Sequence, residues 1–216
     1  MIPAPTKAIL FDVYGTLLDG PRHPDRRNRM ASVIKRFELP EFPYPDTTFD
    51  QAIATAHQQS PERWPEIDIR EIWQSIFPTL TDAGDFAFEL EESIHPVEPT
   101  PWANRLLEAS VETGAALGIV SNAQAYTRRL LATHFPEYWP QFRPDLCAFS
   151  YEHGFAKPDL RLFRHAVRPL IESGIAPAEI LMVGDSDEND RKPAAELGLG
   201  YLTVPPPNDD EGIACG

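Results

Sequence analysis

The chain has 216 residues, of which 42% are hydrophobic, with a formal charge of -14 and a pI near 4.8. That is enough apolar chain for one sizeable α/β core, or a core plus a small inserted domain, and too much for wholesale disorder. The charge has the wrong sign for a nucleic-acid footprint, and no segment approaches the ~20 apolar residues of a membrane span.

The N-terminus Met1-Ile2-Pro3-Ala4-Pro5 lacks a basic stretch followed by a long apolar one, so the expected setting is cytoplasmic. The first element is the apolar run Lys7–Phe11, which predicts a strand buried on both faces. From about Gly20 to Val97 the pattern changes to helical periods at Asp25–Phe37, Thr48–Gln59, Asp68–Ile76 and Asp85–Glu92. Pro-rich breaks such as Leu39-Pro40-Glu41-Phe42-Pro43-Tyr44-Pro45 separate them. Residues 20–97 therefore read as a helical insertion, and residues 1–19 with 98–216 as the α/β core. Trp64, Trp73, Phe77, Phe86 and Phe88 fall at helical spacing in this insertion and read as its core.

Beyond the stiff linker of Pro96, Pro99 and Pro101, Thr100-Pro101 predicts an N-cap and first position of a helix running to Thr113-Gly114. Strand candidates follow at Ala116–Val120, Cys147–Phe149, Ile180–Val183 and Gly200–Val204. Between them lie helical patterns at Ala123–Thr133, from Asp159 with a break expected near Pro169, and after Asp190 to Leu197-Gly198. Strand and helix alternating in this way predict a doubly wound, Rossmann-like parallel sheet with right-handed crossovers. Cys147 reads as a small buried hydrophobe and Cys215 as a free thiol, and the two form no disulfide framework. The tail from Pro205 reads as extended or frayed.

Four polar clusters stand at the carboxyl ends of four strand candidates, the edge where open α/β sheets bind ligands. Asp12-Val13-Tyr14-Gly15-Thr16-Leu17 follows the first strand. A carboxylate there can act as a nucleophile and can bind a hard cation, Gly15 permits a tight turn, and Thr16 can bond the loop or a ligand oxygen. Ser121-Asn122 offers a hydroxyl and backbone N–H groups for an anion, or serves as an ordinary N-cap. Lys157-Pro158-Asp159 offers a cation that could neutralise both nucleophile and anion, or a surface lysine before a helix start. Gly184-Asp185 with Asp190 packs carboxylates that repel unless a cation joins them, and oxygen ligands favour Mg²⁺ over zinc.

In this order and strand context the four clusters closely resemble the haloacid dehalogenase superfamily, from Lys7 to about Val204, and residues 20–97 look like its first type of helical cap. The resemblance implies that Asp12 is the nucleophile, forming a covalent aspartyl intermediate on a small anionic substrate. It implies Mg²⁺ held by Asp12, the backbone carbonyl of Tyr14 and Asp185, with Asp190 supporting the site directly or through water. Ser121 and Lys157 would hold the transferring phosphoryl group, and Asn122 would help position it.

One position departs from the phosphatase pattern. A second Asp usually stands two residues after the nucleophile, where this chain has Tyr14. A phenol with a pKa near ~10 is a poor general base at neutral pH. The Asp-x-Tyr-Gly-Thr pattern is similar to metal-free 2-haloacid dehalogenases, whereas Gly184-Asp185 with Asp190 is similar to the metal-dependent members. The leading expectation is a Mg²⁺-dependent phosphatase; a dehalogenase-type hydrolase and a weakly active binding protein are the alternatives. A dehalogenase would draw a halide-binding arginine from the insertion, with Arg22, Arg26, Arg27, Arg29, Arg36, Arg63 and Arg70 as candidates. Each otherwise reads as a solvated surface residue. His153 reads as a loop histidine four residues before Lys157 that could face the site.

Overall fold

The computed structural model describes residues 2–3 and 5–205. Its centre is a five-stranded parallel sheet in the order β5-β4-β1-β6-β7, with β1 Ala8–Phe11, β4 Ala116–Ser121, β5 Phe142–Phe149, β6 Ile180–Gly184 and β7 Gly200–Thr203. The first strand lies in the middle: Ala8 pairs with Ala116 on one side and with Ile180 on the other. All four β1 residues are fully buried, which explains an apolar run without alternation.

The two-residue period still decides which face each side chain takes. Ile9 and Phe11 point into a cluster with Leu107 of α5 (Ala103–Glu112) and with Leu130 and Leu131 of α6 (Thr127–His134). Ala8 and Leu10 point into a second cluster with Leu162, Phe163 and Ala166 of α7 (Leu160–Glu172) and Ala194 of α8 (Lys192–Glu196). The sheet is therefore covered on both faces, as the strand–helix alternation predicts.

Four helices stand between the short antiparallel pair β2 Leu18–Asp19 and β3 Glu98–Pro99. They are α1 Arg26–Arg36, α2 Pro45–Gln59, α3 Ile69–Ile76 and α4 Ala83–Ile94, and they surround an apolar cluster of their own. Trp73 is fully buried there, stacked on Phe49 with ring centroids 4.3 Å apart, and Phe77 and Phe86 pack around it. Phe88 packs instead against the sheet-side cluster, beneath the Arg129 guanidinium, and Trp64 lies half-buried against Arg63.

The segment between α2 and α3 is stitched to the sheet domain. Glu66 N–H donates to Gly154 O, and Ala156 N–H donates to Trp64 O. The Gln124 amide donates to Glu66 and to Ile67 O and accepts from Ile69 N–H, while Ser150 Oγ donates to Glu66 at 2.6 Å. On the far side His95 spans Glu91 and Gly20 O, each at 2.9 Å.

Several local expectations are corrected. The helix expected at Thr100-Pro101 begins at Ala103, because Thr100 Oγ1 donates to Thr16 O and so leaves its capping role. The helix expected from Ala123 begins at Thr127, and Thr127 Oγ1 accepts from Gln124 N–H in the intervening turn. Pro169 does not break α7, which runs on to Glu172. Strand β5 is longer than Cys147–Phe149, starting at Phe142 despite exposed Arg143 and Asp145, because it lies at the sheet edge. Cys147 is half-buried on that strand, with its thiol pushed up to about 11 by burial. Cys215 and the tail beyond Pro205 lie outside the described residues. No described helix is long and apolar enough to cross a membrane.

Candidate active site

The carboxyl ends of β1, β4 and β6 meet where the chain switches from helices on one face to helices on the other, the place a doubly wound sheet opens a crevice. Asp12 follows β1 directly and is anchored by its backbone N–H to Val183 O. Gly15 sits in the left-handed region at φ 79°, and a Cβ built on it would fall 2.5 Å from Asp185 Oδ2. Glycine is needed there because the loop after β1 passes against the loop after β6. Gly184 is constrained in the same way, since a Cβ would collide with the Asp190 carboxylate.

These close approaches bring together carboxylate oxygens of Asp12, Asp185 and Asp190, all within 4.8 Å of one another. Lys157 lies among them almost fully buried, its Nζ 2.7 Å from Asp12 Oδ1 and 2.7 Å from Asp190 Oδ1. Asp190 is completely buried, and its Oδ2 accepts from Ser186 N–H at 3.1 Å. Burial pushes the Asp190 carboxyl up to about 6, against the pull of Lys157. Burial, then the Asp12 charge, raises Asp185. Burial opposes the charge on Lys157, but Asp12 and Asp190 outweigh it and hold the ammonium. Three carboxylates around one ammonium leave an excess of negative charge and raised acid pKa values, which is the donor set a divalent cation relieves.

Ser121 ends β4 with its hydroxyl buried and without a hydrogen-bond partner. Thr16 is in the same condition, while its carbonyl accepts from Thr100 Oγ1 and from Trp102 Nε1. Two amide N–H groups beyond Asn122 are engaged: Ala123 donates to Ser150 Oγ and Gln124 to Thr127 Oγ1. The Asn122 side chain is bonded to the Lys157 backbone. Its amide accepts from Lys157 N–H at 2.6 Å and donates to Lys157 O at 3.3 Å, which fixes the lysine backbone. Tyr14 turns its hydroxyl to Thr127 Oγ1 at 2.9 Å, and burial raises its pKa above the ordinary phenol value. His153 stacks on His165 with ring centroids 3.9 Å apart and is not one of the clustered groups. Of the arginines, Arg27, Arg36 and Arg70 pair with Asp46, Glu89 and Asp68, whereas Arg22 and Arg26 line a cavity among the helices of the insertion.

A family model described as haloacid dehalogenase-like hydrolase matches residues 6–198. The chain belongs to this family of hydrolases. Among curated relatives of this haloacid dehalogenase-like hydrolase is a phosphoserine phosphatase of Thermus thermophilus, 34% identical over 124 residues. That match takes in 55% of this chain and 44% of the relative, so less than half of the relative's length is spanned. Solved structures share the fold. A HAD phosphatase from Thermococcus onnurineus matches with a TM-score of 0.59 at 19% identity, over 96% of this chain and 90% of that one. A HAD family enzyme from Bacteroides thetaiotaomicron, solved with magnesium and inorganic phosphate, matches with a TM-score of 0.58 at 21% identity, over 95% and 96% of the two chains.

The sequence alone did not point to Thr100, Trp102, Thr127, Ser150 or Gln124, which hold the site loops through hydrogen bonds. Ordinary helix starts and polar loop residues have the same local pattern, so only the folded contacts distinguish them.

Proposed function

We propose that this hydrolase removes phosphate from a small phosphorylated metabolite, with Asp12 as nucleophile and Mg²⁺ as cofactor. The observation that carries the reading is the convergence of Asp12, Asp185 and Asp190 within 4.8 Å around the Lys157 ammonium. In this reading Asp12, Asp185 and the Tyr14 carbonyl hold the cation, and Asp190 supports the site while it fixes Lys157. Bound there, Mg²⁺ supplies charge neutralisation for a phosphoryl group approaching a carboxylate. Residues 20–97 form the cap over this crevice.

An Asp12 oxygen attacks phosphorus, the ester P–O bond breaks with its electron pair leaving on the alcohol oxygen, and the phosphoryl group remains on Asp12. The alcohol oxygen takes a proton from solvent; water then attacks phosphorus and gives up a proton to solvent, the P–O bond to Asp12 breaks with its electron pair returning to the carboxylate, and inorganic phosphate leaves. Lys157 neutralises both Asp12 and the transferring oxygens, and the unpartnered hydroxyls of Ser121 and Thr16 are free to donate to those oxygens. Asn122 acts through Lys157 by holding its backbone. The curated relative's name agrees with this chemistry.

Tyr14 is tied to Thr127 and is poorly suited to give or take a proton, so poor leaving groups depart without help from that position. p-Nitrophenyl phosphate should therefore turn over faster than a sugar phosphate, with Mg²⁺ required and Asp12→Asn inactive. Equal turnover of the two esters counts against the account of Tyr14, and a fully active Asp12→Asn overturns the nucleophile. The missing second carboxylate also favours a second reading, a dehalogenase-type hydrolase. Halide release from 2-chloropropionate in EDTA, without phosphatase activity, would establish it instead.

A further inference from the structure

Of the three carboxylates that meet in the crevice, two are held by partners. Asp12 and Asp190 each pair with the Lys157 ammonium, and Asp190 also accepts from Ser186 N–H. Asp185 has no such support: among the described residues no other side chain bonds or pairs with its carboxylate. The direction of that carboxylate is therefore set by the backbone on either side of it, at Gly184 and Ser186.

A tyrosine on the neighbouring strand grips this backbone. Tyr201 stands on β7 opposite Met182 of β6, and its ring packs, half-buried, against the cluster under α7 and α8. Its hydroxyl reaches to the end of β6 and donates to Gly184 O at 2.9 Å, with Ser186 O 3.5 Å away. Gly184 O accepts a second hydrogen bond from Val204 N–H at 3.0 Å, so both lone pairs of that carbonyl are engaged. Burial and the charge of Asp190 raise the Tyr201 pKa, which keeps the phenol protonated and a donor. On its other flank Asp185 has no slack, since a Cβ on Gly15 would fall 2.5 Å from its Oδ2.

We propose that Tyr201 is a positioning residue for the cation site: its hydroxyl fixes the Gly184 carbonyl and, through it, the aim of the Asp185 carboxylate. This rests on the Mg²⁺ reading above and adds to it a residue that touches neither cation nor substrate. Groups that orient a metal ligand act on metal affinity, typically by about 10–100-fold.

The test is Tyr201→Phe, which keeps the ring and removes one oxygen. Tyr151→Phe makes the same change at a hydroxyl bonded to Glu152 and serves as the control. Melting scans of the metal-free proteins across a MgCl₂ series give the Mg²⁺ Kd without any substrate. Tyr201→Phe should bind Mg²⁺ about tenfold more weakly than the wild type or Tyr151→Phe. Turnover of p-nitrophenyl phosphate should then need more Mg²⁺, with kcat within about twofold of the wild type once Mg²⁺ saturates. In EDTA the two variants should melt together. An unchanged Mg²⁺ Kd, or a kcat that saturating Mg²⁺ does not recover, overturns the assignment and leaves the phosphatase reading intact. So does a Tyr201→Phe protein that melts well below Tyr151→Phe in EDTA, since the hydroxyl would then serve the fold at large. A wild type that neither binds Mg²⁺ nor hydrolyses p-nitrophenyl phosphate overturns both.

Discussion

Ser121 and Thr16 each bury a hydroxyl oxygen that meets no partner. An unmet polar group of this kind costs about 1–3 kcal/mol, which a protein tolerates where a ligand will complete the bond. Ser121→Ala should therefore raise the melting temperature of the free protein by a few degrees and should lose part of the stabilisation that phosphate with Mg²⁺ gives the wild type. Thermal scans with and without phosphate check both halves; a drop in the free protein's melting temperature would show that the hydroxyl is satisfied. Asp12 and Asp185 could be singled out in the chain because each stands at the end of an apolar run, as does Ser121, whereas Lys157 comes only after a further loop. What Asn122 and Tyr14 do could not, because an amide that braces a backbone and a phenol that bonds a helix start leave no local pattern. Their roles follow from contacts with Lys157 and Thr127, 35 and 113 positions away.

At the level of elements, the helical insertion depends on Trp73. It is fully enclosed by Phe49, Phe77 and Phe86, and its indole N–H has no partner. Trp73→Ala should cost about 3–5 kcal/mol, whereas Trp73→Phe keeps most of the stacking and removes the unmet donor, so it should cost far less. Denaturant melts of the two variants make the comparison; equal losses would mean that the indole N–H is bonded after all. The helices here were legible from periodicity, since α3 and α4 bury one face each. Their ends were less so. Thr100 looks like a cap but serves the Asp12 loop, and Pro169 looks like a breaker yet lies within α7. Tertiary contacts outrank local preference at both points.

Across the whole molecule, the contacts that fix the insertion differ in character. Residues 64–69 join loops of the core through backbone and amide hydrogen bonds. At the other end His95 ties the two ends of the insertion to each other, held between Glu91 and Gly20 O. The Glu91 hydrogen bond raises the His95 pKa in the folded state. A raised histidine contributes stability that is fully present below its unfolded pKa, near ~6.5, and is lost as pH rises through the folded value. His95→Gln should thus lower the melting temperature more at pH 5.5 than at pH 9. A gap that widens with rising pH would contradict the pairing.

The central position of β1 also governs when the enzyme can come into being. Ala8 needs Ile180 as a neighbour, and 172 positions separate them. At about 5–20 residues per second, a ribosome takes on the order of 10–30 s to make that stretch. For that interval Asp12 has been made without Asp185 or Asp190 to stand beside it. A nascent chain released before β6 is made therefore lacks the cluster of Asp12, Asp185 and Asp190.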